Sequence, residues 1–428
     1  MPLLRGLLAD TRPLKDPHFR RLWTANIITV IGAQLTVVAV PAQIYAMTGS
    51  SAYVGLTGLF GLVPLVVFGL WGGALADVFD RRTILLVTTT GLIVTSALFW
   101  AQAFFGGTDG FGVWWLLGLF SVQQAFFAVN QPTRSAILPA LLGPELIPSA
   151  ASLNMTVMQA GAIAGPLVGG ALIPLLGYSW LYAIDTVFLF ATLWAVVLLP
   201  PLRVEGAAAK VPGLRSVVDG FAYLRHHPVL LMSFVVDLVA MVFGMPRALF
   251  PEIAHLDFGG RAEGGMVFAL LFAAIPAGAV LGGVLSGWVS RVERQGLAVI
   301  VCILVWGAAM TGFGVAVLLS DLSRPATLAV ALGCLALGGA ADMASAAFRT
   351  AMLLTAADDN VRGRLQGVFI VVVAGGPRVA DTAHGAAAAV VGAAVAAAGG
   401  GVLVIVGTVL AALLVPSFVR YRVTRPTP

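Results

Sequence analysis

Charge is scarce in this sequence. Asp, Glu, Lys and Arg together make up 10% of its 428 residues, where a soluble domain carries about a quarter. Lysine is scarcer still: Lys15 follows Leu14 and Lys210 follows Ala209. The G-K-[ST] element of a phosphate-cradling loop therefore cannot be assembled, and an ATP-driven pump would need its ATPase from another chain. The five histidines are scattered, and the adjacent pair His226 and His227 lacks metal-ligand spacing, so no metal site is expected. Neither H-E-x-x-H nor G-x-S-x-G occurs. An intramembrane enzyme would lack its nucleophile–base pair or metal set, so neither catalysis nor a cofactor is expected. Cys302 and Cys334 fall within apolar runs and read as small buried hydrophobes, not a disulfide.

What the chain has instead is apolar length. Its residues are 59% hydrophobic and its mean hydropathy is +0.98. About twenty apolar residues cross a bilayer as a helix, and about twelve such runs are present. Six cover roughly 22–47, 53–76, 83–105, 113–131, 149–176 and 178–199. Six more cover roughly 229–250, 264–288, 297–319, 327–347, 366–395 and 398–419. The runs are too long and too uniformly apolar for barrel strands, which alternate with a period of two. The expected fold is an all-α polytopic membrane protein of twelve transmembrane helices in two pseudo-symmetric six-helix bundles. The charged start at 1–21 leads straight into the first run and does not resemble a cleavable signal.

The 24 Lys and Arg set the orientation. With cytoplasmic termini, twenty fall on inside segments, Arg134 and Arg349 among them. Only Arg261 and Arg324 fall outside, and Arg247 and Arg378 lie within spans. The positive-inside rule accounts for that asymmetry and for the basic pI without invoking nucleic acid.

The chain also repeats itself. "FGLVPLVVFG" (60–69) is echoed by "FAAIPAGAVLG" (272–282), "QPTRSAILP" (131–139) by "AFRTAMLLT" (347–355), and "DPHFRRLW" (16–23) by "HPVLLMSF" (227–234). Offsets of roughly 211 to 215 recur, half the chain, and each half holds an even number of spans. These are parallel repeats, as in transporters whose substrate binds between two halves near the midplane. The expected divisions are a cytoplasmic segment 1–21, a bundle 22–199, a cytoplasmic linker 200–228, a bundle 229–419 and a tail 420–428. The linker is rich in proline and carries an amphipathic stretch at 214–227.

Two motifs interrupt the apolar text. "GGALADVFDRR" (72–82) crowds Asp77, Asp80, Arg81 and Arg82 into the turn after the second span. It resembles the G-x-L-a-D-r-x-G-R-[KR] loop of the major facilitator superfamily, with Gly73, Asp77, Arg81 and Arg82 matching and Asp80 standing where glycine is usual. The resemblance implies a conformational latch, made in one state and broken in the other. "GAIAGPLVGGAL" (161–172) places Gly161, Gly165, Pro166, Gly169 and Gly170 on the fifth span. It resembles the superfamily's antiporter signature, and its small residues allow close helix approach. The eighth span offers a matching face at Gly278, Gly282, Gly283 and Gly287.

Essentially the whole chain resembles siderophore and drug exporters of that superfamily, particularly the enterobactin-exporter branch. The resemblance implies a twelve-span inner-membrane carrier whose export is coupled to proton entry, without identifying the cargo; the expected cargo is a siderophore or amphipathic drug-like molecule, and the expected carrier a monomer in the lipid bilayer. A lipid flippase on the same scaffold remains the alternative. Charges inside spans are costly and so point to function. Asp237, Arg247, Asp342, Arg378 and Asp381 are the candidates for proton coupling, with Asn26, Gln34, Gln123 and Asn154 as neutral groups of the substrate cavity. Arg378 and Asp381, three apart, can pair on one helix face. Asp237, with no partner within a turn of its own helix, is the expected proton carrier. Asp185 reads as a cap at the outer end of the sixth span.

Overall fold

The computed structural model describes residues 10–106, 110–202, 222–356 and 362–422. Apart from one isolated bridge, Arg261 with Gly264, the regular structure described there is helical. Packing divides the chain into two units, Met1–Val40 with Val63–Val211 and Pro41–Leu62 with Pro212–Pro428. Most of the expected linker, 203–221, lies outside the described residues.

Helix α1 (Pro17–Thr48) starts with Asp16 as its cap: the Phe19 amide donates to Asp16 Oδ1 at 2.7 Å, and proline fills the first helical position, where no amide is needed. Ahead of it, the Arg12 guanidinium and the Ser149 hydroxyl hydrogen-bond Asp10 and hold its carboxyl below the usual range. α1 ends at Gly49, whose φ of 62° closes the helix as its amide donates a hydrogen bond back to the Tyr45 carbonyl. α2 (Ser51–Val78), α3 (Arg81–Phe105) and α4 (Gly110–Leu141) follow.

α5 (Ile147–Val197) runs for 51 residues. At 1.5 Å per residue that is about 75 Å, more than twice the ~30 Å of bilayer hydrocarbon. Gly177, with φ 76° and ψ 172°, breaks it at the residue separating the fifth and sixth apolar runs. In the first unit, α3 packs along α4 and α5. Leu85, Ile137, Val196 and Leu199 form one core cluster, and Phe19, Leu142, Ala150 and Leu153 a second.

The second unit contains α6 (Pro228–Gly244), α7 (Met266–Val284), α8 (Gln295–Leu318), α9 (Arg324–Ala356), α10 (Arg362–Val391) and α11 (Ala393–Leu414). α8 lies against α9 and α11, α7 along α9, and α6 against α10 and α11. The buried Trp306 on α8 donates its indole N–H to the Ala240 carbonyl of α6 at 3.2 Å. Two boundaries differ from expectation. The seventh run stops as a helix at Gly244 and continues in short turns through Asp257. The eleventh ends at Gly392, whose φ of 83° turns the chain three residues earlier than apolarity alone suggested.

Ten helices among the described residues are long and apolar enough to cross a membrane. Large apolar side chains such as Val87, Phe104, Trp194 and Leu413 are exposed. In water such a surface would drive aggregation; in lipid it is the solvated one. The chain is an all-α polytopic membrane protein.

Candidate functional site

The glycine face of α5 is filled by α1 within the first unit. A Cβ on Gly161 would strike Val30, one on Gly165 would strike Gln34 Cβ, and one on Gly169 would come within 3.3 Å of Leu35. Pro166 and Gly170 are buried beside them. The eighth-run glycines have their own neighbour: Gly278, Gly282 and Gly283 on α7 face Ala336, Ala340 and Met343 of α9. Each glycine face thus meets a helix of its own unit. Both allow close approach, which in lipid gains van der Waals contact where no hydrophobic driving force exists.

The charged turn after α2 ties three helices together. Asp80 caps α3, its Oδ1 accepting from the Arg82 amide at 2.9 Å and from the Leu202 amide at 3.1 Å. Arg81 Nη1 donates to the Ala136 carbonyl of α4 at 2.9 Å, and Arg82 Nη2 to the Val197 carbonyl of α5 at 2.7 Å. The Val197 carbonyl, at the last position of α5, has no intrahelical amide to accept from, and the Arg82 guanidinium satisfies it. The acid in the usual glycine position is thus a structural cap. Gly73 and the Asp77 side chain, on which the latch would turn, lie outside the described residues. Asp80→Ala removes one acceptor from two amides and is expected to cost about 1–2 kcal/mol. Thermal unfolding in detergent reads this, and Asp80→Asn should recover most of it. An alanine variant as stable as the parent would reduce the cap to a surface detail.

The candidate charges gather in the second unit. Asp237 on α6, 2% exposed, forms an ion pair with Arg349 Nη1 on α9. Arg349 Nη2 lies 3.7 Å from Asp342 Oδ1, two turns earlier on the same helix. Asp237 Oδ2 and the Ser345 hydroxyl lack hydrogen-bond partners. Sequence reasoning found both acids but missed the arginine, which it counted as a loop cation. The missed signal is its place at the end of an apolar run with an acid seven residues earlier. A second cluster surrounds Asp381 on α10, where Arg247, Arg378 and His384 act on it electrostatically. His384 Nδ1 is 3.1 Å from the Ala380 carbonyl, and Asp381 Oδ1 has no hydrogen-bond partner.

The first unit answers with hydroxyls. Asp185 Oδ2 accepts from Thr36 at 2.7 Å and Ser96 at 3.0 Å, while Oδ1 has no partner. Thr186 donates to Ser96 at 3.1 Å, and Thr29 and Thr192 meet at 2.9 Å. Asp185 is 2% exposed, so it is a core carboxylate joining α1, α3 and α5 and not a cap at the interface. Gln34 lies at the glycine seam and Gln123 is buried on α4.

Asn26 and Asn154 line one cavity of about 440 Å³ between α1, α4 and α5, shared with Gln131 and Arg134. Its apolar wall includes Trp23, Phe127, Met155 and Met158. A larger recess of about 530 Å³ between α2, α3 and α4 is walled by Phe68, Phe79 and Phe126 and offers a ligand only the hydroxyls of Thr83, Thr88 and Ser121.

Among known proteins, a family model described as a transmembrane secretion effector matches residues 9–420. Proteins named enterobactin exporter EntS, from Shigella boydii serotype 18 and Citrobacter koseri, are each 29% identical over 415 and 417 residues. The matches cover 96% of this chain and 94% and 95% of those proteins. A solved POT family transporter in complex with 5-aminolevulinic acid superposes with a TM-score of 0.70 at 10% identity, covering 92% of this chain and 96% of that one. A bacterial homologue of the iron transporter ferroportin in an inward-facing state gives 0.68 at 14% identity, covering 94% and 98%. At such identities the structural likeness speaks for the fold alone.

Proposed function

The chain belongs to the transmembrane secretion effector family of the major facilitator superfamily, a family of membrane transporters, and from that premise we propose that it exports a siderophore or a related amphipathic small molecule in exchange for protons. Export proceeds by alternating access of two six-helix bundles, with both termini cytoplasmic and the protein resident in the inner membrane. The siderophore assignment is supported by the enterobactin exporters it resembles along 96% of its length.

The observation that carries the coupling is the Asp237–Arg349–Asp342 triad. One guanidinium faces two carboxylates, Asp237 buried and Asp342 partly exposed, leaving one excess negative charge. That charge is costly in hydrocarbon, and a single proton cancels it. Proton binding to Asp237 releases Arg349 to Asp342, so the same event that neutralises the site changes which helices are tied together. An ion pair exchanged in this way is a two-state element that a proton biases. The latch at Asp77 works alongside it, with Asp80 and Arg82 fixing the turn that carries it.

Everted vesicles test this reading. A panel of siderophores and dyes should accumulate when the lumen is acidic, and accumulation should stop when nigericin collapses the pH gradient. Uptake indifferent to the gradient would remove proton exchange from the account. Transport that instead follows phospholipid headgroup identity in liposomes would make the protein a flippase.

A further inference from the structure

Among the described residues, Arg134 is a cation without a paired acid. No carboxylate among the described residues comes within ion-pair distance of it, yet it is half-buried and lines the 440 Å³ cavity of the first unit. The internal repeat makes this pointed. Arg134 stands where the second half has Arg349. At the 211-residue offset of the segments beginning the two halves, Asp237 corresponds to Asn26. At the 215-residue offset joining the two arginines, Asp342 corresponds to Phe127. The first half keeps the cation and replaces both of its acids with an amide and a phenyl ring, and both replacements line the cavity. A guanidinium in such a place needs an anion, since a desolvated charge without a partner is costly. The described residues do not provide one.

Resting on the exporter reading, we infer that this cavity is the binding site for the acidic group of the cargo, which is an amphipathic anion. Arg134 forms charge-assisted bonds to a carboxylate, sulfonate or phenolate. The amides of Asn26, Gln131 and Asn154 direct its remaining polar atoms, and Trp23, Phe127, Met155 and Met158 receive its apolar body. Methionines suit a site that admits several shapes, and the volume fits a drug-sized molecule. An anionic lipid headgroup shares this chemistry; the cavity is assigned here to a transported solute.

Binding can be measured without transport, so its outcome is independent of proton coupling. The full protein in phosphatidylcholine nanodiscs is titrated with 8-anilinonaphthalene-1-sulfonate, an amphipathic anion, and with uncharged N-phenyl-1-naphthylamine, with empty nanodiscs subtracted. Arg134→Gln should weaken the sulfonate about tenfold or more and leave the neutral probe unchanged, and Arg134→Lys should retain much of the anion affinity. Asn154→Asp leaves the arginine in place and puts a carboxylate into the same cavity, so it should also weaken only the anion. Equal loss of both probes in the two folded variants, or parental sulfonate affinity in either, overturns the site. Phosphatidylglycerol in the nanodisc should leave the parental affinity unchanged relative to Arg134→Gln; selective competition would overturn the assignment to a solute.

Discussion

Asp237→Asn is expected to end export against a gradient while leaving a folded protein that still exchanges cargo down one. Asparagine keeps the shape of the protonated acid but can neither bind nor release the proton, so driven accumulation should fall at least about tenfold, the change that 1.4 kcal/mol of lost coupling would produce. The fold survives because Arg349 retains Asp342, 3.7 Å away; the expected stability cost is about 1–2 kcal/mol, that of one hydrogen-bonded partner. Asp237→Glu should export with a shifted pH optimum. Arg349→Gln should be worse than either, because it leaves the buried Asp237 without its cation and the partly exposed Asp342 beside it unpaired, at about 3–5 kcal/mol. Accumulation in everted vesicles and thermal unfolding in detergent give both readings. If Asp237→Asn still concentrates cargo when the lumen is acid, the coupling proton sits elsewhere, with Asp381 next in line.

Gly165→Leu should separate the two helices that hold the first unit's centre. Even the first added carbon would overlap Gln34 Cβ, an atom that cannot swing away as a side-chain tip can. The helices must part, and overpacking of this kind costs about 1–3 kcal/mol or more. The packing predicts an order as well as a size. Gly165→Ala should be markedly more harmful than Gly169→Ala, whose Cβ would meet the flexible end of Leu35 at 3.3 Å. Unfolding temperature and proton leak in proteoliposomes measure the two consequences. Equal tolerance of leucine at 165 and 169 would mean that α1 and α5 do not rely on this contact.

The sequence disclosed depth better than direction. Apolar length located the helices, and the break at Gly177 falls between two runs that composition had already separated. Asp237 and Asp342 were legible as charges within spans because hydrocarbon makes any charge conspicuous. Their arginine was not. Arg349 and Arg134 both sit at the ends of apolar runs, where a cation looks like an ordinary inside-loop residue under the positive-inside rule. Only contact between α6 and α9 shows that the first is paired, and only the structure shows that the second lines a cavity. Asp185 was misplaced for a related reason: position along a helix says nothing about which neighbours it faces, and its hydroxyl partners come from α1 and α3. The glycine faces were recognised as faces, but glycine spacing does not say which helix fills each one.

Three glycines in the left-handed region, Gly49, Gly177 and Gly392, each turn the chain almost on the spot between successive crossings. Turns this tight have no loop to lend. A tag or reporter inserted at any of the three would have to pry apart helices that meet within a residue or two. A soluble partner approaching such a turn would find helix ends where it needs a surface. Handles for labelling and crystallisation chaperones belong on longer connections, such as the one around Arg261.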